Sequence, residues 1–184
     1  MKVTMQLRLL PSGTAAAALK DTVESFNNAA AWLLPEVMRE KIPARAMEKF
    51  AVSELKRRFK LDLGLVRRCV ALVLRDRKRA NAGASALLRH LYAPVPLLLH
   101  EQVNLMACDR VVISTVAGVV TVPFVVAGYR LARFDWAAQQ CDLIYQPNSS
   151  SIDDRWSLLF TADLPNGTVL PSFSAAADSG TEDA

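Results

Sequence analysis

The chain has 184 residues, 52% of them apolar, and a formal net charge of +4. This length suits one domain or two small ones that share a core, and the apolar content excludes a wholly disordered protein. The charge is unevenly divided: residues 45–89 hold thirteen Lys or Arg against four Asp or Glu, whereas residues 90–184 hold four against ten. The middle of the chain is therefore predicted to form a basic module, followed by a mildly acidic half.

The N-terminal pattern predicts a strand followed by a long helix. Residues 2–10 alternate between apolar and polar side chains, which is typical of a half-buried strand. After a turn at residues 11–14, apolar residues recur at helical spacing as far as Leu34. Pro35 predicts a kink or an early stop in this helix, and Ile42-Pro43 predicts its end.

Two basic amphipathic helices are predicted next, separated near Asp62-Leu63-Gly64. On a helical wheel three arginines of the second helix share one face: Arg68, Arg75 and Arg79. Three valines occupy the opposite face: Val66, Val70 and Val73. A short helix over residues 85–91 is expected before Pro94 and Pro96.

The periodicity changes to that of strands after residue 100. Segments rich in Val, Ile and Thr predict strands at residues 101–107, 110–115, 119–126, 141–146 and 156–162. Ala117-Gly118 is typical of a hairpin turn. The small and acidic residues towards the C-terminus predict a disordered tail over residues 166–184.

These elements predict an α+β fold. The first strand needs neighbours, and the only candidates lie beyond residue 100. The economical architecture is a small β-barrel with a helical bundle inserted after its first strand. We assign residues 1–11 and 97–165 to the barrel domain and residues 12–96 to the inserted helical domain.

The basic helices favour nucleic acid as the partner, because spread positive charge gains most from a line of phosphates. The candidate binding residues are Lys56, Arg57, Lys60, Arg67, Arg68, Arg75, Lys78 and Arg79. The simpler interpretation is a solvated helix face that binds nothing.

Other chemistry is not indicated. Cys69, Cys108 and Cys141 are odd in number and far apart, and His90 and His100 belong to no ligand motif, so neither a disulfide framework nor a metal site is expected. No cofactor is predicted. The N-terminus lacks the long apolar region of a signal peptide, and no apolar run reaches the roughly 20 residues that span a bilayer. We therefore expect a cytoplasmic protein with no membrane partner.

The order of motifs resembles a known family. Residues 1–33, MKVTMQLRLLPSGTAAAALKDTVESFNNAAAWL, are similar to the opening of TnpB-type proteins, the transposon-encoded RNA-guided nucleases related to type V CRISPR effectors. In that opening a strand ends in a Pro-containing turn, and a helix follows with an F-N-x-A-like centre, here Phe26-Asn27-Asn28-Ala29. The remaining similar stretches are residues 59–61, 66–78, 111–124, 141–145 and 156–164.

The resemblance implies a role in holding nucleic acid. The barrel would be a wedge domain and the helices a recognition domain, with a guide-like RNA and target DNA as partners. In such proteins the target sequence is recognised by base pairing with the guide, and the protein binds the nucleic-acid backbone and recognises the shape of the duplex. Val119 departs from the family pattern, because an Arg usually follows the turn glycine there.

Catalysis is not expected from this chain alone. In the resembled family a RuvC-like nuclease domain follows, and its acidic cluster holds the metal ions that cleave phosphodiesters. Here residues 164–167 run into the acidic tail, with no GVDLG-like strand. The available carboxylates have no family counterpart: Asp135, Asp142, Asp153, Asp154 and Asp163. We expect no catalytic and no metal-binding residues, and a separate RuvC-like nuclease subunit is a candidate partner.

Two alternatives remain open. One is a non-catalytic DNA-binding regulator that places its helices directly in a duplex groove, although no helix-turn-helix pattern is present. The other is a scaffold subunit of a split nuclease, in which the strands within residues 111–126 offer an edge to the partner.

Overall fold

The computed structural model describes residues 2–40, 43–81, 91–106, 109–126, 140–147 and 155–163. The elements are β1 (Lys2–Leu9), α1 (Gly13–Glu40), α2 (Ala44–Phe59), α3 (Leu63–Asn81), β2 (Val95–Leu98), β3 (Val103–Met106), β4 (Arg110–Thr115), β5 (Gly118–Val126), β6 (Gln140–Gln146) and β7 (Arg155–Asp163). None of the helices in these ranges is long and apolar enough to cross a membrane.

The first strand lies inside the sheet formed by the second half of the chain. β1 is antiparallel to both of its neighbours, with Leu7 opposite Leu158 on β7 and opposite Val126 on β5. Leu7 and Leu9 point into the core, whereas Gln6 and Arg8 lie on the outer face. This arrangement confirms the predicted α+β fold, a barrel-shaped sheet with helices inserted after its first strand.

The seven strands run in the order β2-β6-β7-β1-β5-β4-β3, all antiparallel. β2 and β3 terminate the sheet at opposite ends, yet they are joined by only four residues. A bridge between Leu99 and Val103 and a 2.9 Å hydrogen bond from the Gln102 amide to the Leu98 carbonyl draw the two strands together. His100 supplies the left-handed backbone of this turn, with φ of 64°. The sheet therefore nearly closes into a barrel.

β2 was not predicted, because its sequence contains a proline. Pro96 has no amide hydrogen to donate, and a proline normally argues against a strand. It is tolerated here because β2 lies at the end of the sheet order and pairs with β6 alone, where Pro96 lies opposite Asp142. An edge position leaves one side of the strand without ladder hydrogen bonds to lose.

Of the two alternatives predicted at Pro35, a kink or an early stop, the early stop is wrong, because α1 continues to Glu40. Leu33 and Val37 are fully buried on either side of the proline. Packing of this apolar stripe keeps the helix intact although the proline removes a helical hydrogen bond. Residues 85–90 of the predicted short helix lie outside the described residues, and so does the predicted tail.

One apolar core runs through helices and barrel. α1 contacts β2, β4, β5 and β6, and α3 contacts β2.

The buried Thr22 links α1 to the barrel by hydrogen bonds. Its hydroxyl accepts a 3.1 Å hydrogen bond from the amide of Val116, in the turn between β4 and β5, and donates one of 2.7 Å to the Ala18 carbonyl. This pair fixes α1 against the barrel.

Candidate nucleic-acid interface

The turn between α2 and α3 sets the orientation of the basic helix. α2 ends at Phe59, and Lys60 takes a left-handed conformation with φ of 56°, as a helix C-cap commonly does. The Asp62 carboxylate then accepts a 2.7 Å hydrogen bond from the Leu65 amide, which caps the N-terminus of α3. The break predicted near Asp62-Leu63-Gly64 is confirmed.

α3 has the two faces that its sequence predicts. Val66, Val70 and Val73 are buried in the shared core. At 100° per residue, the cations of the opposite face fall within an arc of about 120°. We call this set the α3 basic face: Arg67, Arg68, Arg75, Lys78 and Arg79. Arg79 belongs to it by position, and its side chain lies outside the described part. Asp76, the single acidic residue in α3, falls outside the arc.

Two members of this face line a groove between α3 and the barrel. Arg68 and Arg75 are two helical turns apart, about 10.5 Å along the axis. They form one wall of an open groove of about 430 Å³, which we call the α3 groove. Its other lining residues are Ala71, Leu72, Pro94, Pro96 and Asp142. The sequence could not predict this partnership, because β2 and β6 reach α3 only through the tertiary fold.

The described cations of the α3 basic face are weakly neutralised. Among the described residues, Arg68 and Lys78 form no ion pair with an acidic side chain. The closest approach of Arg75 to Asp76 is a long 3.8 Å between Nε and Oδ1. Arg67 Nε lies 2.9 Å from Glu48 Oε1 on α2, but both side chains are more than half exposed. Such surface pairs contribute little and are readily exchanged for another anion.

The predicted binding residues of α2 and of its C-cap lie outside the α3 groove. Lys56, Arg57 and Lys60 are all exposed. Arg57 is partly engaged, since Glu54 Oε2 accepts hydrogen bonds of 2.8 Å from Arg58 Nε and 2.9 Å from Arg57 Nη2. These two guanidinium groups, Arg58 first, hold the pKa of Glu54 below its ordinary value. The helices thus offer two basic surfaces, and that of α3 borders the α3 groove.

Arg58 has a local structural role. Its Cζ lies 4.8 Å from the centre of the Trp32 ring, a cation–π contact between α2 and α1. The same ring meets Phe50 at 6.4 Å and Phe59 at 6.2 Å between centroids. This cluster fastens α2 to α1 and occupies Arg58, which the sequence analysis had not placed among the binding residues.

No metal cluster occurs in the described ranges: nowhere in them do three His, Cys, Asp or Glu side chains come together in a way that could hold an ion. Asp142 lines the α3 groove. Asp135, Asp153 and Asp154 lie outside the described residues, and the side chain of Asp163 does as well. The expectation that the chain does not cleave nucleic acid stays a prediction.

The edge proposed for a scaffold subunit is not where the sequence analysis put it. β4 is flanked by β3 and β5, and β5 by β4 and β1, so the strands within residues 111–126 already have neighbours on both sides. The strands at the ends of the sheet are β2 and β3.

Comparison with known proteins adds no relative. No protein-family model matches the chain, and no curated protein does. The function is therefore argued from the basic surface of α3 and the groove beside it.

Proposed function

We propose that this protein binds a strand of nucleic acid along the α3 basic face and holds it without cleaving it. The observation that carries the proposal is the pair Arg68 and Arg75, two turns apart in one open groove on a helix face free of acidic residues. Arg75 is exposed and Arg68 is partly exposed. Weakly paired cations in a row gain most from a polyanion, because each phosphate they neutralise releases condensed counterions.

The far wall of the α3 groove supports a particular path for the strand. Asp142 lines the same groove as the two arginines. It repels phosphates from the floor of the groove, since like charges near a protein surface disfavour one another. The sugar–phosphate backbone would then follow the solvent side of Arg68 and Arg75, with Lys78 and Arg79 continuing the line towards the end of α3.

The resemblance to TnpB-type proteins gives this proposal its candidate partners: a guide-like RNA with its target DNA, and a separate RuvC-like nuclease subunit. We also place the protein in the cytoplasm. The Cys141 thiol, which is free and buried, suits a reducing compartment.

The test is a salt titration of a double variant, Arg68→Gln with Arg75→Gln. Affinity for a single-stranded RNA should fall, and the slope of log affinity against log salt should flatten by about 1.4 units if each arginine engages one phosphate. The charge-matched control is Arg39→Gln with Arg110→Gln. Both of these arginines are exposed and lie beside an acidic neighbour outside α3. The control pair should leave the slope unchanged.

An unchanged slope in a folded double variant would show that the α3 basic face is only a solvated surface. Val70→Asp serves as the contrast, because it buries an unpaired charge at a position 7% exposed and should unfold the helical module. Sequencing the RNA that co-purifies with the protein identifies the bound class. Sequence-specific binding to duplex DNA without RNA would instead favour the regulator.

A further inference from the structure

A second groove of about 420 Å³ lies on the outer face of the barrel, and its lining residues come from strands. Arg8 of β1 and Arg155 of β7 border it, with Gln6, Val125, Gln146 and Ser157 among its lining residues. We call it the barrel groove. It contains none of the residues that the sequence analysis assigned to binding.

Strand register brings the two arginines together. Arg8 lies directly opposite Ser157, and Arg155 is two residues from Ser157 on the same strand. Alternate residues of a strand share one face, so Arg8 and Arg155 are diagonal neighbours with Cα atoms about 7–8 Å apart. Two guanidinium groups on stems of that spacing can converge on one anion.

No described acidic residue balances the charge of these arginines. Among the described residues that line the barrel groove, none is acidic. Neither Arg8 nor Arg155 forms an ion pair with an acidic side chain in the described ranges. This is unusual for its surroundings, because residues 90–184 carry ten acidic residues against four basic ones. Two like charges held side by side favour an anion between them.

Neutral donors complete the surroundings. Gln6 Nε2 donates a 3.1 Å hydrogen bond to Ser157 Oγ, which leaves the Ser157 hydroxyl hydrogen available for another acceptor. Gln146 lies directly opposite Arg155, and its side-chain amide is on the same face. Forked arginine donors with neutral donors beside them match a group with several acceptor oxygens better than a single carbonyl.

We propose that the barrel groove is a second binding site, which takes a phosphate group and acts separately from the α3 basic face. The phosphate can belong to a free ion or nucleotide, or to a nucleic-acid strand. The two grooves share the outer row of β6, because Asp142 lines one and Gln146 the other. Four residues of strand separate them, about 13 Å. One strand of nucleic acid could therefore reach both, yet the site needs only its own arginines.

The experiment maps amide chemical shifts of the isotope-labelled full chain during titration with inorganic phosphate, adenosine 5′-monophosphate and a short oligothymidylate. Saturable shifts are expected at Arg8, Val125, Gln146 and Arg155. Arg8→Gln with Arg155→Gln should weaken binding at these amides by about tenfold or more, because charge-assisted arginine contacts are lost. Arg39→Gln with Arg110→Gln is the charge-matched control and should change nothing there.

A second variant keeps both arginines. Val125→Glu places a carboxylate on the exposed side of β5 directly opposite Arg8, and it should abolish phosphate binding while the fold is retained. Oligothymidylate binding much tighter than either small probe assigns the phosphate to a nucleic-acid strand, whereas similar affinities assign it to a free phosphate or nucleotide. Both results support the site.

The absence of saturable shifts with all three probes would overturn the proposal, as would shifts that persist unchanged in Arg8→Gln with Arg155→Gln. The double variant Arg68→Gln with Arg75→Gln separates this outcome from the proposed function. If that variant loses oligonucleotide binding but the barrel groove never responds, the α3 basic face stands and the second site does not.

Discussion

Asn27, in the middle of α1, donates a 2.9 Å hydrogen bond from Nδ2 to the carbonyl oxygen of Leu91, 64 positions further along the chain. The same nitrogen donates at 2.9 Å to the carbonyl of Ala93. Asn27 therefore ties the end of the helical insertion to its first helix, at the point where the chain returns to the barrel. Pro94 and Pro96, which line the α3 groove, follow directly, so this tether also positions the wall opposite Arg68.

Replacing Asn27 should destabilise the protein more than replacing an exposed asparagine. Asn27 is 1% exposed, and Asn27→Leu removes the group that donates hydrogen bonds to two carbonyl oxygens. The free energy of unfolding should therefore fall by about 2–4 kcal/mol. Chemical denaturation followed by circular dichroism measures this. The neighbouring Asn28 is exposed, and Asn28→Ala should change stability by no more than about 0.5 kcal/mol. Equal effects of the two substitutions would show that the tether carries no stability.

Replacement by alanine should affect the stability of the protein differently at two glycines. A Cβ at Gly64, in the first turn of α3, would lie 2.6 Å from Gln102 Nε2. Gln102 cannot easily move, because it is buried and its Oε1 accepts a 2.8 Å hydrogen bond from the Leu98 amide. Gly64→Ala should therefore lower the melting temperature, at a cost of about 1–3 kcal/mol.

Gly13 is the matched control for Gly64. It also lies in the first turn of a helix, and an added Cβ there meets nothing within 4 Å. Gly13→Ala should be neutral or stabilise the protein by up to about 1 kcal/mol, because alanine reduces the freedom of the unfolded chain. Thermal unfolding of both variants decides the matter, and a loss of stability at both positions would contradict the contact with Gln102.

Cys141 should make the protein sensitive to alkali. Burial, assisted by the negative charge of Asp142, raises the pKa of the Cys141 thiol from 9.0 to about 12. Below pH 9 both folded and unfolded chains keep the proton, so this residue adds no pH dependence. Between about pH 9 and pH 12 only the unfolded chain releases it, and the free energy of unfolding should fall by at most about 1.4 kcal/mol per pH unit.

Cys141→Ala isolates this effect from the titration of Tyr and Lys residues. Its free energy of unfolding should fall less steeply over the same pH range than that of the native sequence, as measured by urea denaturation at a series of pH values. Parallel curves for the two proteins would mean that the thiol titrates alike in the folded and unfolded states.

Removing the carboxylate from the α3 groove should strengthen nucleic-acid binding. Asp142→Asn keeps the size of the side chain and removes its repulsion of phosphates, so affinity for single-stranded RNA should rise by about twofold to tenfold at low salt. Asp109→Asn removes the same charge from an exposed position outside the groove and should have a smaller effect. Weaker binding by Asp142→Asn would show that the carboxylate contacts the ligand instead of repelling it.

The parts of the fold that follow from local pattern were predictable. The strand at residues 2–10, the break at Asp62 and the buried valines of α3 depend on alternation, capping chemistry and helical period, all of which are present in the sequence. Strand β2 was missed because Pro96 is excluded from most strands, and only knowledge of its edge position makes it acceptable.

The grooves were not predictable in the same way. Arg68 and Arg75 share a helix face by their spacing, but Asp142 joins them only because β6 pairs with β2. Arg8 and Arg155 are 147 positions apart in the chain and become neighbours through the register of β1 with β7. The net negative charge of residues 90–184 gave no sign of this basic pair. A sum along the chain does not show which residues lie on the same face of a sheet.

The position of β1 between β5 and β7 has a consequence for synthesis on the ribosome. Gln6 and Ser157, which touch in the finished sheet, are 151 positions apart, so at about 5–20 residues per second the nascent first strand waits roughly 8–30 s for β7. The helices can form meanwhile, because α2 and α3 contact each other locally. Barrel closure should then be the slow step of folding. Until the barrel closes, the charge of Arg8 discourages the unpaired first strand from pairing with another chain.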